Sequence, residues 1–318
     1  MFYREAFARA LREEMTRSPR LLVIGQDVGA FGGSYREFDG LYRQFGAERV
    51  RDTPVAEGAT IGIGIGAAAA GYRTLVSITY MDFMMLGLDA LVNYGAKLRY
   101  KTAGTLTSPV VVKTTAGALG QGVAHSQCLE SWLMSVPGLT VVAPSTPADA
   151  YGFLKAALRA DGPVVYIDHK RLFPIPGDVL LEEAVLPFGQ ALVRRAGTDV
   201  TIATHSYMVR VALDAADQLE GIGISCEVID LRCLAPLDIA TVAESVARTG
   251  ALLTLEEGQT TCGVGAEVTA RVYERIGAHR WARVGALRAP VSSNPVLEAA
   301  CLPNAENVSE AVSRLLRK

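Results

Sequence analysis

Hydrophobic residues in the first half of the chain fall into short continuous runs, separated by longer segments with helical spacing. Leu21–Gly25 and residues 139–144 are mostly apolar, which is typical of strands covered on both faces of a sheet. Residues 3–15 instead place apolar side chains such as Phe7 and Leu11 on one helical face. Apolar runs that alternate with helix-length segments predict parallel β-α-β units, so we expect an α/β fold.

A proline-containing segment interrupts this alternation, which then begins again. Residues 176–189 contain Pro176 and Pro187 as well as the charged pair Glu182 and Glu183, a composition typical of an interdomain linker. We therefore expect a first α/β domain over residues 1–175 and a second, smaller one over residues 190–318, each built on a parallel sheet.

Composition narrows the functional classes. The chain has 318 residues, of which 50% are hydrophobic and 20% are charged, so general disorder is excluded. Lys and Arg number 31 against 33 acids, and this balance argues against nucleic acid or a membrane surface as a partner. No cysteine lies in a CxxC pair, and no run approaches the ~20 apolar residues of a membrane helix. We expect a cytoplasmic protein.

A glycine-dotted helix is predicted after Pro54. Gly62, Gly66 and Ala70 lie four residues apart and so share one helical face. Each glycine costs a helix about 1 kcal/mol relative to alanine, so a close contact should compensate. A subunit interface is the natural candidate for that contact.

Glu57 and His125 are the candidate reactive residues, and each allows two interpretations. Glu57 precedes the glycine-dotted helix, where an acid either stabilises the helix start or acts as a buried functional group. His125 lies in a glycine-rich loop after a predicted strand, where parallel sheets place ligands, and the alternative is an ordinary surface histidine.

Two further groups are ambiguous. Tyr80 and Phe83 are either core residues or a stacking platform for a flat ring. Lys170 and Arg171 follow the last strand of the first domain, and we interpret them as a solvated pair rather than as an anion contact.

Several segments, taken in order, closely resemble one family. They are GQDVGAFGGSYREFDGL, RVRDTPVAE, GAAAAGYRTLVSITYMDFM, LDALVNYGAKLRY, AHSQCLESW, PGLTVVAPSTPADAYGFLKAALRADGPVV and APLD. They are similar to the beta subunit of the thiamine-diphosphate-dependent decarboxylase component of 2-oxo acid (pyruvate or branched-chain) dehydrogenase complexes. The acetoin dehydrogenase beta subunit looks equally similar. The resemblance spans essentially the whole chain and implies a pyrimidine-type thiamine-diphosphate-binding domain followed by a transketolase C-terminal-like domain.

The resemblance also implies roles for individual residues. Glu57 matches the glutamate that hydrogen-bonds the aminopyrimidine ring of the cofactor, and Phe83 matches the aromatic residue that packs on that ring. His125 matches the active-site histidine near the reacting carbon. In this family a potassium ion is held by backbone carbonyls, and the matching positions are Val110, Ala157, Leu158, Ala160 and Gly162.

One motif of related enzymes is missing. They bind the Mg²⁺ ion of the diphosphate through a GDG segment, which does not occur in this sequence. The resemblance therefore implies that an alpha subunit supplies the diphosphate and metal site, in a heterotetramer of two alpha and two beta chains. The expected activity is formation of an acyl or hydroxyalkyl adduct on thiamine diphosphate and its transfer to a lipoyl carrier of an acyltransferase.

Gln26 departs from the family pattern, which usually has an acid at this position; this puts communication between active sites in doubt. Two alternatives to the expected activity stay open. One is a split transketolase-like subunit that transfers a two-carbon ketol unit, for which Lys113, Lys170 and Arg171 would contact a sugar phosphate. The other is a non-catalytic scaffold that docks on the acyltransferase.

Overall fold

The computed structural model describes residues 1–179 and 184–317, which group by contact into two compact units. The first unit comprises Met1–Ala116 and the described residues of Trp132–Phe188. The second comprises Gly117–Ser131 and the chain from Gly189 onward. The predicted linker over residues 176–189 includes residues 180–183, which lie outside the described residues, so the predicted domain boundaries stay a prediction.

The first unit alternates helices and short strands. Its elements are α1 (Tyr3–Arg17), β1 (Leu21–Gly25), α2 (Leu41–Phe45), β2 (Val50–Asp52), α3 (Glu57–Ala69), β3 (Arg73–Ile78), α4 (Met81–Met84), α5 (Leu98–Lys101), β4 (Val110–Ala116), β5 (Thr140–Val142), α7 (Pro147–Arg159) and β6 (Val164–His169). The division between the two units falls within α6 (Glu130–Met134). The strands lie in the order β5-β6-β4-β3-β1-β2, and every pair is parallel. The predicted parallel α/β fold is confirmed for this unit.

The centre of this sheet explains the apolar runs in the sequence. Every residue of β4 and of β6 is buried, as expected for strands covered on both faces. On one side, α1 presents the buried side chains of Phe7 and Leu11. α7 has a capped start: the Thr146 hydroxyl accepts a hydrogen bond from the Asp149 backbone nitrogen, and Pro147 occupies the first turn.

Residues 86–98 have helical spacing in the sequence but do not form a regular α-helix. α4 continues into a 3₁₀ turn at Met85–Gly87 and a π-helical segment at Ala90–Gly95. Gly87 and Gly95 lie against α3: a Cβ atom on Gly87 would lie 2.4 Å from Ile61 Cδ1, and one on Gly95 would lie 3.1 Å from Ile65 Cδ1. The periodicity of the sequence is helical, but this close approach accompanies a change of helical pitch.

The second unit repeats the alternation with one difference. Its elements are β7 (Leu192–Arg195), β8 (Val200–Thr204), α8 (Met208–Glu220), β9 (Cys226–Asp230), β10 (Cys233–Ala235), α9 (Ile239–Thr249), β11 (Ala251–Gln259), α10 (Val264–Ile276), β12 (Arg280–Ala286), α11 (Pro295–Cys301) and α12 (Ala305–Leu316). The sheet runs β12-β11-β8-β9-β7, and β7 is antiparallel to β9 while the other pairs are parallel. The sheet is therefore mostly, rather than wholly, parallel.

The core of the second unit lies between this sheet and its helices. Val200, Ile202 and Leu253 of the central strands pack with Ala212 of α8 and Val308 of α12, and all five side chains are buried. In the part of the chain that the structure describes, none of the helices combines the length and apolar character needed to cross a membrane.

Candidate active site

Glu57 is the first residue of α3, the position that the helix-start interpretation predicts, and its functional role stays a prediction. A carboxylate in the first turn is favoured by the exposed N–H groups and the dipole of the helix. The side chain is half-buried. Within residues 1–179 and 184–317, no hydrogen bond or ion pair engages its carboxylate, which leaves both oxygens able to accept a ligand proton.

The glycines of α3 face in two directions. A Cβ atom on Gly64 would lie 2.3 Å from Val76 Cγ2, so this glycine lets the helix sit directly on β3. Gly62 and Gly66 are exposed, and a Cβ atom on either would have no neighbour within 4 Å. The compensating contact within this unit is thus made by Gly64, and the face predicted to meet another subunit is open in this chain.

Phe83 lies on α4, directly after the carboxyl end of β3. Its ring is half-buried and meets the Tyr80 ring edge-to-face, with the centroids 6.3 Å apart. Tyr80 in turn meets Tyr35 edge-to-face at 6.5 Å, and Tyr35 stacks on Phe173 at 4.8 Å. Phe83 is therefore the partly exposed end of an aromatic cluster whose other members restrict its movement.

The structure brings Glu57 and Phe83 into neighbouring segments. A Cβ atom on Gly58 would lie 2.8 Å from the Leu86 carbonyl oxygen, and one on Gly87 would lie 3.3 Å from the Glu57 carbonyl oxygen. The 3₁₀ turn after Phe83 therefore touches the first turn of α3. Glycine at both positions permits this approach, because a Cβ atom on Gly58 would collide with the Leu86 carbonyl oxygen and one on Gly87 would collide with the Ile61 side chain.

His125 lies in the Gly117–Ser131 segment, which groups by contact with the second unit. Its side chain is half-buried, and its backbone nitrogen donates a hydrogen bond to the Gly122 carbonyl oxygen at 3.2 Å. The predicted position in a glycine-rich loop after a strand is correct, since β4 ends at Ala116. The catalytic role of His125 stays a prediction.

Buried carboxylates hold the same segment to the second unit. The Ala118 backbone nitrogen donates to Glu257 Oε1 at 2.8 Å, and the Gly120 nitrogen donates to Glu298 Oε2 at 2.7 Å. Glu256, which precedes Glu257 on β11, accepts hydrogen bonds from the Val264 and Gly265 nitrogens at the start of α10. Burial raises the pKa of Glu130 to about 7, and the charges of Glu256 and Glu257 add to this rise.

A buried ion cluster lies at the centre of the first unit. Lys113 Nζ lies 2.7 Å from Glu37 Oε1 and 3.5 Å from Asp168 Oδ2, and Tyr3 donates its hydroxyl proton to Asp168 Oδ1 at 2.8 Å. Burial acts to lower the pKa of Lys113, but the charges of Glu37 and Asp168 outweigh burial and raise it. Burial also raises the pKa of Asp168 to about 6, against the opposing charge of Lys113.

The burial of two lysines corrects two predictions about basic residues. Lys113 is fully buried and ion-paired, so it does not provide the phosphate contact that the ketol-transfer alternative required. Lys170 is also buried, with Nζ 5.2 Å from the centroid of the Tyr80 ring, so the solvated interpretation is wrong for this residue. Arg171 is half-buried.

The carbonyls predicted to hold potassium lie at the end of α7 and the start of β4. The Arg73 guanidinium donates from Nη1 to the Leu158 and Ala160 carbonyl oxygens, and Nη2 lies 3.0 Å from Asp161 Oδ1. A carbonyl oxygen has two lone pairs, so both oxygens can accept a second partner. The Ala157 oxygen accepts a hydrogen bond from the Ala160 nitrogen.

Gln26, which replaces the acid usual in the resembled family, is exposed and follows β1. Its Nε2 atom donates to Asp27 Oδ2 at 3.3 Å. An amide at this position carries no charge and does not titrate.

Two family models match the sequence along its length. The model for the transketolase pyrimidine-binding domain matches residues 1–176, and the model for the transketolase C-terminal domain matches residues 189–308. The pyruvate dehydrogenase E1 component subunit beta-1 of Arabidopsis thaliana is 42% identical over 99% of this chain and 89% of its own length. This chain belongs to the E1 beta family.

Relatives with another stated substrate are equally similar. The 2-oxoisovalerate dehydrogenase subunit beta of Bacillus subtilis is 42% identical over 86% of this chain and 84% of its own length. Among solved structures, the inactive beta4 tetramer of a split-gene transketolase matches with a TM-score of 0.82 and 25% identity, over 99% of this chain and 98% of that one. The E1 beta family thus shares its fold with split transketolases.

Some functional features of this E1 beta chain were not predicted from its sequence. Lys113 interrupts the apolar run of β4, and a charged residue inside a fully buried strand indicates a buried partner, although not which one. Glu256 and Glu257 likewise are buried charged residues within β11, after its apolar run. Both signals are local, whereas their partners lie far away along the chain: 76 residues separate Lys113 from Glu37, and 139 separate Glu257 from Ala118.

Proposed function

We propose that this chain is the beta subunit of a thiamine-diphosphate-dependent 2-oxo acid dehydrogenase E1 component. With an alpha subunit, it would decarboxylate a 2-oxo acid and pass the acyl group to a lipoyl carrier. The observation that carries the proposal is Glu57, whose half-buried and unengaged carboxylate begins α3 in a chain of the E1 beta family.

The residues around Glu57 fit the aminopyrimidine ring of thiamine diphosphate. The carboxylate offers a hydrogen-bonding group at the rim of the unit, and the Phe83 ring in the adjoining segment offers an apolar face for a flat heterocycle. When bound, the cofactor supplies carbanion chemistry at its thiazolium carbon. Glu57 would hold the cofactor through a hydrogen bond, and the Phe83 ring would pack against its flat heterocycle.

His125 provides the proton-transfer group in this proposal. Histidine is the side chain that most often acts as a general acid or base, so His125 would donate or accept a proton at a substrate carbonyl oxygen. The half-buried side chain is reachable from solvent, as a group that meets both substrate and a carrier must be.

An alpha subunit would complete the site. The sequence contains no GDG segment, so we propose that Mg²⁺ and the diphosphate are held mainly by the alpha chain, in a heterotetramer of two alpha and two beta chains. The exposed face of α3 with Gly62, Ile63 and Gly66 offers a surface for close packing against another chain. We further propose a potassium ion at the carbonyls near Arg73.

The test is to co-express the chain with an alpha subunit that contains GDG and to measure substrate-dependent reduction of a dye acceptor. Pyruvate, 3-methyl-2-oxobutanoate, acetoin and a ketose phosphate serve as donors. We expect turnover with a 2-oxo acid or acetoin and loss of at least about a hundredfold in Glu57→Gln, because an amide at this position cannot promote the ring tautomer in the same way.

Glu48→Gln is the matched control, since Glu48 is exposed and lies outside the site. It should keep wild-type turnover. Wild-type activity in Glu57→Gln would contradict the proposal. Turnover of the ketose phosphate alone would favour the split transketolase alternative, which the lower identity to the split-gene transketolase and the buried Lys113 make the weaker of the two.

A further inference from the structure

In the glycine-rich loop after β4, every second residue from Ala118 to Gly122 contacts another part of the second unit. The Ala118 nitrogen donates to Glu257 Oε1 at 2.8 Å, and the Gly120 nitrogen donates to Glu298 Oε2 at 2.7 Å. A Cβ atom on Gly122 would lie 3.4 Å from Ser293 Cβ, so Gly122 rests against the segment before α11. Gly122 is also the first residue of the turn that carries His125.

The carboxylates are suited to hold this loop. Glu257 and Glu298 are 7% and 6% exposed, so their hydrogen bonds to backbone N–H groups are largely shielded from water. Hydrogen bonds in which the acceptor is ionised are shorter and stronger than neutral ones. A glycine-rich segment has little conformational preference of its own, and contacts of this kind therefore decide its conformation.

Each carboxylate is itself held by secondary structure. Glu257 lies in β11, where successive side chains point to opposite faces; Glu256 reaches the start of α10, and Glu257 reaches the loop. Glu298 lies in α11, a short helix that Asn294 caps by accepting hydrogen bonds from Val296 and Leu297. The loop is thus fixed from two separate elements of the same unit.

The link to His125 is one tight turn. The His125 nitrogen donates to the Gly122 carbonyl oxygen at 3.2 Å, and Gly122 has a left-handed backbone conformation with φ of +79°. Displacement of residues 118–122 therefore moves the start of this turn and the imidazole with it. A shift of about 1 Å in a reactive group can cost a hundredfold in rate.

We propose that Glu257 and Glu298 are positioning residues that fix the loop of residues 117–122 and thereby place the His125 imidazole for the reaction. The inference rests on the proposed function for the importance of His125, while the loop contacts can be tested independently of it. Neither carboxylate is assigned contact with substrate or cofactor.

The experiment uses the assembled alpha–beta complex and four beta variants: Glu257→Ala, Glu257→Gln, His125→Ala and Glu274→Gln as an exposed control. Amide hydrogen exchange reports the loop, and steady-state kinetics report kcat and KM separately. We expect faster exchange at residues 118–125 in Glu257→Ala, about tenfold or more loss of kcat, and little change in KM. Glu257→Gln keeps an acceptor oxygen, so its loop exchange and its kcat should lie between those of wild type and Glu257→Ala.

Glu298→Ala and Glu298→Gln form a second pair, which keeps the proposal testable if Glu257→Ala does not fold. Wild-type loop exchange and wild-type kcat in the alanine variants would overturn the positioning role. Faster loop exchange in Glu257→Ala would support the loop contacts. If turnover were nevertheless unchanged in both Glu257→Ala and His125→Ala, the assigned role of His125 would be contradicted. Equal loss in Glu274→Gln would overturn the specificity of the effect.

Discussion

The Nζ atom of Lys113 lies 2.7 Å from Oε1 of Glu37, and both side chains are buried. Lys113 belongs to the central strand of the first sheet, and Glu37 belongs to the loop between β1 and α2. The pair therefore joins the sheet to a glycine-rich loop. Asp168 on β6 and the rings of Phe7 and Phe38 complete its surroundings.

Lys113→Met should strongly destabilise the fold. The substitution leaves Glu37 and Asp168 buried without their counter-charge, which costs about 3–5 kcal/mol in comparable cases. Chemical denaturation of the purified chain, followed by circular dichroism, measures the free energy of unfolding. The double variant Lys113→Met/Glu37→Gln should be less destabilised than the sum of its single variants, since it removes both charges of the pair.

Lys97→Met is the matched control for this substitution. Lys97 is exposed, and its Nζ atom donates to Asn93 Oδ1 at the surface. Its free energy of unfolding should stay within about 0.5 kcal/mol of wild type. A Lys113→Met chain as stable as Lys97→Met would refute the assigned importance of the buried pair.

Stability should fall as pH rises from about 4.5 to about 7 because of Glu130. Its pKa in the folded chain is about 7, against an ordinary value of 4.5, so in this window the native state retains a proton that the unfolded state loses. Glu256, Glu257 and the Cys128 side chain are the groups that face it. The shift corresponds to a contribution on the order of 3 kcal/mol that is present below pH 4.5 and lost by about pH 7.

Glu130→Gln should remove this contribution, because the amide stays neutral at every pH. The measurement compares the free energy of unfolding of wild type and variant at pH 5 and at pH 7.5. Asp168, whose pKa is also raised, to about 6, acts in the same direction in both proteins, so it cancels from the comparison. Parallel pH profiles for wild type and Glu130→Gln would be inconsistent with the raised pKa of Glu130.

Two glycines of α3 should respond oppositely to alanine. Gly62→Ala adds a methyl group where no atom lies within 4 Å, and should stabilise the chain by about 0.5–1 kcal/mol through helix propensity. Gly64→Ala places its methyl group 2.3 Å from Val76 Cγ2, and overpacking of this kind costs about 1–3 kcal/mol. Urea denaturation of both variants measures the difference.

Gly62→Ala and Gly66→Ala test the exposed face of α3 as a subunit contact. If another chain packs against Gly62, then Gly62→Ala should weaken assembly with the alpha subunit even though it stabilises the beta chain. Sedimentation of the mixed subunits measures assembly. Unchanged association in both Gly62→Ala and Gly66→Ala would place the interface elsewhere.

Potassium should raise the thermal unfolding temperature if the carbonyls near Arg73 bind it. A ligand that binds only the native state stabilises it by an amount that grows with the logarithm of its concentration. Thermal scans in potassium chloride and in sodium chloride of equal ionic strength separate specific binding from screening. Equal midpoints in the two salts would mean that the Arg73 guanidinium alone provides the positive charge at the Leu158 and Ala160 oxygens.

Much of the fold follows from local signals. The continuous apolar run of β1 and the glycine-dotted α3 were each predicted at or near their observed bounds. The 3₁₀ and π-helical turns after α4 were not predicted, and there Gly87 and Gly95 lie close to Ile61 and Ile65 of α3. Periodicity identifies a helical segment but does not report how closely a neighbouring helix approaches it.

The sequence by itself determined the order of two α/β units, the family and the motif positions of Glu57, Phe83 and His125. These depend on residues near one another along the chain. Only the tertiary structure decided that Lys113 pairs with Glu37, that Lys170 is buried and that Glu257 holds the loop before His125. A buried charge requires a partner of opposite charge or a hydrogen-bonding group. The sequence contains many distant residues that could be that partner, and only the packing of strands and loops shows which one it is.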